Sequence, residues 1–306
     1  MRLGVDVGGT KVEVVALEEG HRVASSRVVT GHGNTGVVES VLTAVAGLLA
    51  EPGLHHSAIE SVGVGIPGVV DLVSGRVTHA VNLGVEDLAL GPILAARLGV
   101  EVRVDNDVNA ACLGAYHLLK LSGSMAYLNL GTGLAAGLVL DGQLWHGSRG
   151  SAGEIGHISL DPNGPVCACG QHGCLEVYAS GSGLARAWPT HDLHPTDNLF
   201  DAADAGDPRA IVVRDTFVRA VADAVSILVL TLDVDSVVIG GGLSNLGGRL
   251  MHPLARELTE RAGCSAFLAG LGIADRLRLA SHGSAAPAVG AALIGAGSQK
   301  KLSSPR

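Results

Sequence analysis

The feature that most constrains the fold is a pattern that occurs twice in the 306 residues. An apolar run over residues 3–7 leads into a glycine turn, and strand-like runs follow at 12–16 and 22–29. The same order of strand, glycine turn, strand, turn and strand recurs over residues 125–146, on the order of 120 residues later. Two copies of one supersecondary unit predict a duplicated fold.

Other buried-strand runs alternate with helix-like stretches. The strand-like runs cover residues 61–65, 100–104 and 236–239, and the helix-like stretches cover residues 37–49, 108–119 and 210–230. This alternation is typical of α/β proteins, in which ligands gather where strands end. We therefore expect the turns after the strands to face one cleft. Residues 188–208 are rich in Asp, Pro and His and indicate an excursion over the surface.

Composition excludes several classes of protein. A net charge of -8 and an aromatic content of 3% disfavour a nucleic-acid partner. No apolar run approaches the roughly 18 residues that cross a membrane, and residues 1–7 carry no signal-peptide pattern. We expect a soluble cytoplasmic protein without a nucleic-acid or membrane partner.

One segment carries the ligand set of a closed tetrahedral zinc site, one histidine and three thiolates. Its members are His157, Cys167, Cys169 and Cys174. The alternatives are a disulfide or a chance cluster, but a cytosolic chain disfavours a disulfide and the compact spacing favours structural zinc. The other two cysteines, Cys112 and Cys264, lie in apolar, helix-like surroundings, and we expect both in the core.

The first glycine turn has the composition of a phosphate-binding loop. Asp6 precedes it and can hold Mg²⁺ directly or through water. The groups that can hold phosphate oxygens belong to Gly8, Gly9, Thr10 and Lys11. The spacing is not that of a Walker P-loop, and a plain hairpin turn is the alternative.

Two further glycine turns can approach a nucleotide. Gly131-Thr132-Gly133 is the equivalent turn in the second copy and can hold phosphates from the other side. Gly240-Gly241-Gly242 would let a base or ribose approach the backbone. Close packing of a helix on the sheet explains the third turn nearly as well.

Polar residues near these turns can bind and activate a sugar hydroxyl. Asp107 can accept a proton from a hydroxyl that attacks phosphorus, and Asn106 offers a donor and an acceptor, although an N-cap explains both residues as well. Glu154 and Glu176 flank the metal segment. With Asn82 and Asn106 they can grip vicinal hydroxyls, and His157 can point its second N–H at the ligand.

These motifs together resemble the ROK family of bacterial sugar kinases and regulators, the glucokinase branch in particular. The resemblance rests on D-V-G-G-T-K from Asp6, G-I-P-G from Gly65, D-N-D-V-N-A-A from Asp105, L-G-T-G from Leu130, G-E-I-G-H from Gly153, C-A-C-G-Q-H-G-C-L-E from Cys167 and G-G-G-L-S from Gly240. The metal loop and the E-I-G-H element are specific to the family, whereas the glycine turns are not.

The resemblance implies an α/β, actin/hexokinase-like (ribonuclease H-like) duplicated fold with two lobes and an interlobe cleft. The lobes would be residues 1–118, with a returning helix at about 288–306, and residues 119–287 with the zinc loop. It implies ATP-dependent phosphorylation of a hexose at the 6-hydroxyl, glucose to glucose 6-phosphate, with Mg²⁺ and structural Zn²⁺, by a homodimer or homotetramer. Asp107 would be the catalytic base, and the sugar would lie among Asn82, Asn106, Asp107, Glu154, His157 and Glu176.

Other substrates and another function fit the same motifs. N-acetylglucosamine, N-acetylmannosamine, mannose or fructose can replace glucose, and polyphosphate can replace ATP. A non-catalytic sugar sensor is the alternative from another class, which the lack of an N-terminal DNA-binding pattern disfavours. Two departures from the family bear on nucleotide affinity and on the preference for glucose, respectively. Ala135 and Ala136 stand where glycine is usual, and the Trp that often follows Asn82 is replaced in residues 83–88.

Overall fold

The computed structural model describes residues 1–297 except Leu193 and His282. The chain forms two compact units. The first comprises Met1–Leu121 and the described residues from Gly283 onward, and the second is Ser122–His282. Among the described residues, no helix is both long enough and apolar enough to cross a membrane.

The first unit is built on a five-stranded mixed sheet. Its elements are β1 (Arg2–Val7), β2 (Lys11–Glu18), β3 (His21–Val29), α1 (Gly33–Leu49), β4 (Ser61–Ile66), β5 (Val69–Asp71), β6 (Arg76–Ala80), β7 (Val85–Leu88), α2 (Leu90–Leu98), β8 (Val102–Asn106) and α3 (Asp107–Leu118). The sheet order is β3-β2-β1-β4-β8, antiparallel across the first three strands and parallel across β1, β4 and β8. Strands β5, β6 and β7 form a small antiparallel sheet that the sequence patterns did not predict.

The second unit repeats this topology. Its elements are β9 (Met125–Leu130), β10 (Leu134–Leu140), β11 (Gln143–Leu144), α4 (Leu175–Ala179), α5 (Gly181–Ala187), α6 (Pro195–Asp204), α7 (Pro208–Leu232), β12 (Ser236–Gly240), α8 (Gly248–Gly263), α9 (Ala266–Leu271) and β13 (Leu277–Leu279). The order β11-β10-β9-β12-β13 has the same parallel and antiparallel pairings as the first sheet. The predicted duplication and the α/β class are therefore confirmed.

Each unit has its own core, and the central strands are mostly apolar and buried. All six residues of β4 are buried, as expected of a parallel strand that is covered on both faces. In the second unit, α7 buries Phe217, Val221 and Leu228 against the sheet, with Phe200 of α6 packed edge-on against Phe217. These cores fix the strand ends that carry the polar residues.

The last helix, α10 (Ala286–Gly295), packs on the first unit through backbone-to-backbone approach. A Cβ atom placed on Gly4 of β1 or Gly63 of β4 would collide with the backbone of α10. Reciprocal collisions would follow at Gly114 of α3 and Gly290 of α10. Only residues without a side chain permit this approach. Residues 298–306, which the predicted returning helix included, lie outside the described residues.

Three expectations from the sequence differ from the structure. The stretch 188–208 contains α6, whose Leu199, Phe200 and Ala203 are buried in the core, so its polar residues lie on the outer face of an amphipathic helix. Cys264 is exposed just after α8, whereas Cys112 is buried as predicted. The strand expected at 100–104 begins later, at Val102.

Candidate active site

The first glycine turn joins β1 to β2 and is closed by its own backbone. The amide of Gly8 donates to the carbonyl of Lys11 at 2.9 Å, and the hydroxyl of Thr30 donates to the carbonyl of Gly8 at 2.7 Å. Gly9 and Thr10 at the tip are exposed. The turn therefore presents amides and a hydroxyl on a fixed backbone, as a phosphate-binding turn requires.

Asn82 lies beside this turn, in a 3-10 helix at Val81–Leu83. A Cβ atom placed on Gly9 would lie 4.0 Å from the Cβ of Asn82. The Asn82 side chain is exposed and makes no hydrogen bond to any described residue. Its amide is therefore available to a ligand that also contacts the turn.

Asp6 stands at the end of β1, opposite Gly65 of β4. Burial first, and then the negative charge of Asp107, raise the pKa of Asp6 from 3.8 to about 7, while the positive charge of Lys11 acts in the opposite direction. Two carboxylates thus lie close enough to repel each other at the end of the first sheet. A divalent cation bound there would relieve that repulsion, because carboxylate oxygens are ligands that Mg²⁺ prefers.

The junction between β8 and α3 exposes Asp107. Asn106 is the helix N-cap, because its Oδ1 accepts a hydrogen bond from the amide of Val108 at 2.9 Å and its Nδ2 donates to the carbonyl of Gly68 at 3.2 Å. The N-cap interpretation is therefore correct for Asn106. Asp107 is the first helical residue and is partly exposed. Asn106 retains one N–H and further lone pairs for a ligand.

Two residues outside the predicted site, Asp105 and Asn109, hold this junction in place. Asp105 is buried, with only 3% of its surface exposed, and its Oδ1 accepts from the amide of Asn106 at 2.7 Å. The same oxygen accepts from the side-chain amide of Asn109 at 2.9 Å. The spacing of these two residues gave no helical signal, because Asp105 lies in β8 and Asn109 in α3.

The second glycine turn, between β9 and β10, is closed in the same way as the first. The amide of Gly131 donates to the carbonyl of Gly133 at 3.1 Å. The start of α5 supports the turn, because Gly181 donates to the carbonyl of Gly131 at 2.8 Å and Ser182 donates to that of Thr132 at 2.8 Å. The carbonyls are therefore occupied, and Thr132 is exposed at the tip.

The third glycine turn, after β12, combines packing with open space. A Cβ atom on Gly240 would collide with the ring of Tyr127, and Gly241 has a φ of 79°. Gly240 is therefore packed against a neighbouring strand, not against a helix as the alternative interpretation had it. A Cβ atom on Gly242 would meet no described atom within 4 Å. This part of the turn has room for a ligand.

The alanines that replace glycine after the second turn carry no backbone strain. Ala135 and Ala136 lie in β10, paired with Asn129 and Leu128, and neither has a positive φ. The cost that would follow from a left-handed conformation therefore does not arise.

The G-E-I-G-H segment lies directly against β10. The carbonyl of Gly153 accepts from the amide of Ala136 at 2.8 Å, and a Cβ atom on Gly153 or Gly156 would collide with the backbone of β10. This contact fixes Glu154 and His157. Glu154 is exposed, and its carboxylate makes no hydrogen bond or ion pair with a described residue.

The four predicted metal ligands converge on one point. Their ligand atoms all lie within 4.8 Å of one another, and the members are His157, Cys167, Cys169 and Cys174. Cys169 Sγ lies 3.7 Å from Cys174 Sγ, and Cys167 Sγ lies 3.8 Å from His157 Nδ1. A tetrahedral zinc ion would hold such atoms about 3.6–3.8 Å apart, given bond lengths of about 2.3 Å to sulfur and 2.0–2.1 Å to nitrogen. The residues therefore fit zinc.

The loop that carries the cysteines is shaped by glycine and by hydrogen bonds. Gly170 and Gly173 have φ values of 93° and 61°, which glycine adopts without cost. The backbone and side chain of Gln171 donate toward Cys169 and lower the pKa of that thiol to about 6, whereas burial raises the pKa of Cys174 to about 12. A bound cation would stabilise all three thiolates.

Glu176, in the first turn of α4, connects the metal loop to the second glycine turn. Its Oε2 accepts from the amide of Leu134 at 3.0 Å, and its Oε1 lies 4.0 Å from Cys167 Sγ. A Cβ atom on Gly133 would lie 2.6 Å from Oε2. The Glu176 side chain therefore needs the glycine at position 133.

The structure brings the predicted residues together within each unit. The first unit holds Asp6, Gly8, Gly9, Thr10, Lys11, Asn82, Asn106 and Asp107. The second unit holds Gly131, Thr132, Gly133, Glu154, His157, Cys167, Cys169, Cys174, Glu176, Gly240, Gly241 and Gly242. Each set therefore joins glycine turns at strand ends to carboxylate and amide side chains.

Comparison with known proteins agrees with these features over most of the chain. A glucokinase of Halalkalibacterium halodurans is 34% identical over 286 residues, which cover 85% of this chain and 86% of the relative. An N-acetyl-D-glucosamine kinase of Aliivibrio fischeri is 31% identical over 309 residues, 96% of this chain and 99% of the relative.

A solved structure shares the fold. It is a ROK family glucokinase from Streptomyces griseus in complex with glucose and AMPPNP, 29% identical, with a TM-score of 0.77 and coverage of 96% of this chain and 99% of that chain. The fold is the actin/hexokinase-like α/β fold predicted from the sequence. The model of the ROK family matches residues 2–297. The chain therefore belongs to the ROK family.

Proposed function

We propose that the chain is an ATP-dependent sugar kinase that phosphorylates the 6-hydroxyl of a hexose, with glucose as the preferred substrate. The observation that carries the proposal is the pair of carboxylates at the end of the first sheet, Asp6 and Asp107, beside a glycine turn. Asp6 can hold a cation, and Asp107 can accept a proton. Phosphoryl transfer to an alcohol requires both functions.

Asp107 acts as the general base. It is partly exposed at the start of α3, where it can accept the proton of the attacking hydroxyl. Its backbone position is fixed by Asn106 and by the buried Asp105. Asn82 and the remaining N–H of Asn106 donate to neighbouring hydroxyls, which orients the sugar with respect to Asp107.

Within the second unit, Glu154, His157 and Glu176 are the groups suited to bind sugar hydroxyls. Glu154 and His157 are fixed by the contact of their segment with β10, and Glu176 is fixed by Leu134. Structural zinc on the four ligands would hold this region rigid, and its role is structural because the four protein ligands complete its coordination. The carboxylates of Glu154 and Glu176 can accept hydrogen bonds from vicinal hydroxyls of the sugar.

The glycine turns bind the nucleotide. The amide of Gly9, with Thr10 and Lys11, holds phosphate oxygens on a turn that the amide of Gly8 closes, and Thr132 at the tip of the second turn does the same where Gly131 closes the turn. Gly242 leaves space beside its turn for the nucleoside. Bound Mg²⁺ supplies positive charge that stabilises the transferring phosphoryl group, and Asp6 is the residue that would hold it.

N-acetylglucosamine is the second candidate substrate. The relative that is named for this activity aligns with 96% of the chain, more than the glucokinase does. The segment after Asn82 also lacks the tryptophan that is frequent in the family, and that segment borders the proposed sugar site.

The proposal further includes a cytoplasmic location and a homodimer or homotetramer. The five cysteines form no disulfide, which supports the cytoplasmic location. Light scattering would test the oligomeric state.

A coupled assay of ADP release tests the function. It would offer ATP and Mg²⁺ with glucose, N-acetylglucosamine, N-acetylmannosamine, mannose and fructose in turn. We expect turnover on glucose with the highest kcat/KM. Turnover only on an N-acetylhexosamine would show that glucose is not the substrate. Turnover only with polyphosphate would show that ATP is not the phosphoryl donor. Calorimetric sugar binding without turnover with either donor would favour the sensor and overturn the kinase.

A further inference from the structure

The duplication makes Asn129 the structural equivalent of Asp6. Each residue stands next to last in the first strand of its unit, two positions before the first glycine of the turn. Asp6 is paired with Gly65 on the neighbouring parallel strand, and Asn129 is paired with Gly240 in the same way. Each is also the second residue from the turn in its antiparallel hairpin.

The side chain of Asn129 lies between the second and third glycine turns. Its Nδ2 would lie 3.4 Å from a Cβ atom on Gly131, and its Oδ1 would lie 2.7 Å from one on Gly241. The side chain is partly exposed and forms no hydrogen bond with any residue that the structure describes. A partly buried carboxamide with a free donor and a free acceptor is costly unless a ligand or water satisfies it.

The residue type suits a phosphate. Residues 131–134 include no basic side chain, whereas Lys11 provides a positive charge in the first turn. Because the adjacent turn has no basic side chain, the repulsion between a carboxylate at position 129 and a phosphate would not be offset. A carboxamide avoids that repulsion, and its N–H groups can donate charge-assisted hydrogen bonds to phosphate oxygens.

We propose that the carboxamide of Asn129 binds the phosphate groups of the Mg²⁺–ATP substrate, as the neutral counterpart of Asp6. The inference rests on the proposed kinase function and adds a nucleotide-binding residue to it. Asn129 would bind the substrate without taking part in proton transfer, so its loss should weaken nucleotide binding and leave sugar binding intact.

Calorimetric binding of AMPPNP with Mg²⁺ to the whole protein tests the proposal. We expect Asn129→Ala to raise the Kd for the nucleotide about tenfold or more, in the range of a lost hydrogen bond to a charged group. The KM for the sugar should stay within about twofold, since Asn129 does not face the sugar residues in this proposal. Asn198→Ala is the matched control. Asn198 lies in α6 of the same unit, where its Oδ1 accepts from the indole N–H of Trp188, and its loss should leave the Kd unchanged.

A second variant separates binding from packing. Asn129→Asp keeps the shape of the side chain and adds a negative charge. We expect its nucleotide Kd to rise steeply at low free Mg²⁺ and to recover in part at high free Mg²⁺, because the carboxylate repels phosphate but attracts the cation. A side chain that only packs would give the Mg²⁺ dependence of the unaltered protein.

The outcomes distinguish this inference from the function itself. An AMPPNP Kd within twofold of the unaltered protein in both variants, with sugar-dependent turnover intact, would overturn the role of Asn129 alone. Failure of the unaltered protein to bind the nucleotide would overturn both. If Asn129→Ala does not fold, Asn129→Asp supplies the decision, and melting temperatures of all variants report on folding.

Discussion

The carboxylate of Glu176 accepts a hydrogen bond from the backbone amide of Leu134 at 3.0 Å. Glu176 follows the metal-loop residue Cys174 by two positions, and Leu134 directly follows the second glycine turn. One side chain therefore connects the zinc loop to a turn that we assign to phosphate binding. A metal that fixes Cys174 would fix the position of this turn as well.

Removal of the Glu176 carboxylate should separate its structural role from its sugar role. Glu176→Ala leaves the Leu134 amide without an acceptor, and we expect a loss of about 1–3 kcal/mol in the free energy of unfolding. Glu176→Gln keeps an acceptor and should lose less than half as much, yet it should still raise the KM for the sugar because the charge is gone. Urea unfolding and steady-state kinetics measure the two effects. Equal loss of stability in both variants would argue against the bond to Leu134.

Loss of one thiolate should remove zinc and stability together, because metal binding and folding are coupled. We expect Cys169→Ser to reduce bound zinc well below one ion per chain and to lower the melting temperature. Elemental analysis and thermal unfolding provide the measurements. Cys264→Ser is the control, since Cys264 is exposed and outside the metal set. A Cys169→Ser protein with full zinc and an unchanged melting temperature would contradict a structural metal.

The raised pKa of Asp6 predicts a pH dependence of stability in buffer without Mg²⁺. The folded protein keeps a proton on Asp6 up to about pH 7, whereas the unfolded chain releases it near pH 3.8. The free energy of unfolding should therefore fall as the pH rises from about 4 to about 7, and then level off. Asp6→Asn removes this contribution.

The difference in unfolding free energy between the unaltered protein and Asp6→Asn isolates the contribution of this carboxyl group. Urea unfolding at intervals across pH 4–8 would measure it. Mg²⁺ should bind more tightly as the pH rises toward 7, because it requires the ionised carboxylate. A difference that does not change between pH 4 and pH 7 would show that Asp6 titrates normally.

The close approach of α3 and α10 predicts a large penalty for one methyl group. A Cβ atom on Gly290 would collide with the carbonyl of Ala110, so we expect Gly290→Ala to lower the free energy of unfolding by about 1–3 kcal/mol or more. Gly270 in α9 has open space around it, and Gly270→Ala should be neutral or stabilising by up to about 1 kcal/mol. Chemical denaturation of both variants provides the comparison. Equal free energies of unfolding for Gly290→Ala and Gly270→Ala would mean that the backbones of α3 and α10 are not in contact.

Sequence patterns predicted the strand ends well because the central strands are buried on both faces. The mostly apolar runs of β1 and β4 indicated where Asp6 and Gly65 would lie. The metal set was predictable because few ligand combinations fit so short a segment. The three-stranded sheet of β5–β7 was missed because its strands are short and half exposed, so they lack a strong alternation.

Features that depend on tertiary packing were not predictable from local pattern. The many polar residues of α6 gave no indication that Leu199 and Phe200 are buried. They are buried because they pack in the core beside α7. Gly4 and Gly63 have no sequence pattern that sets them apart from other strand residues. The structure shows that a side chain at either position would collide with the backbone of α10. The equivalence of Asp6 and Asn129 likewise required the register of both sheets, since the residue types differ.

The central claim is that Asp107 accepts the proton of the sugar hydroxyl during phosphoryl transfer from ATP. The most direct test measures single-turnover formation of sugar phosphate by Asp107→Asn, alongside calorimetric binding of the same sugar. We predict that sugar binding and melting temperature stay near those of the unaltered protein while the rate falls at least about 10²-fold, as expected for a lost general base. Near-normal turnover in Asp107→Asn would contradict the mechanism.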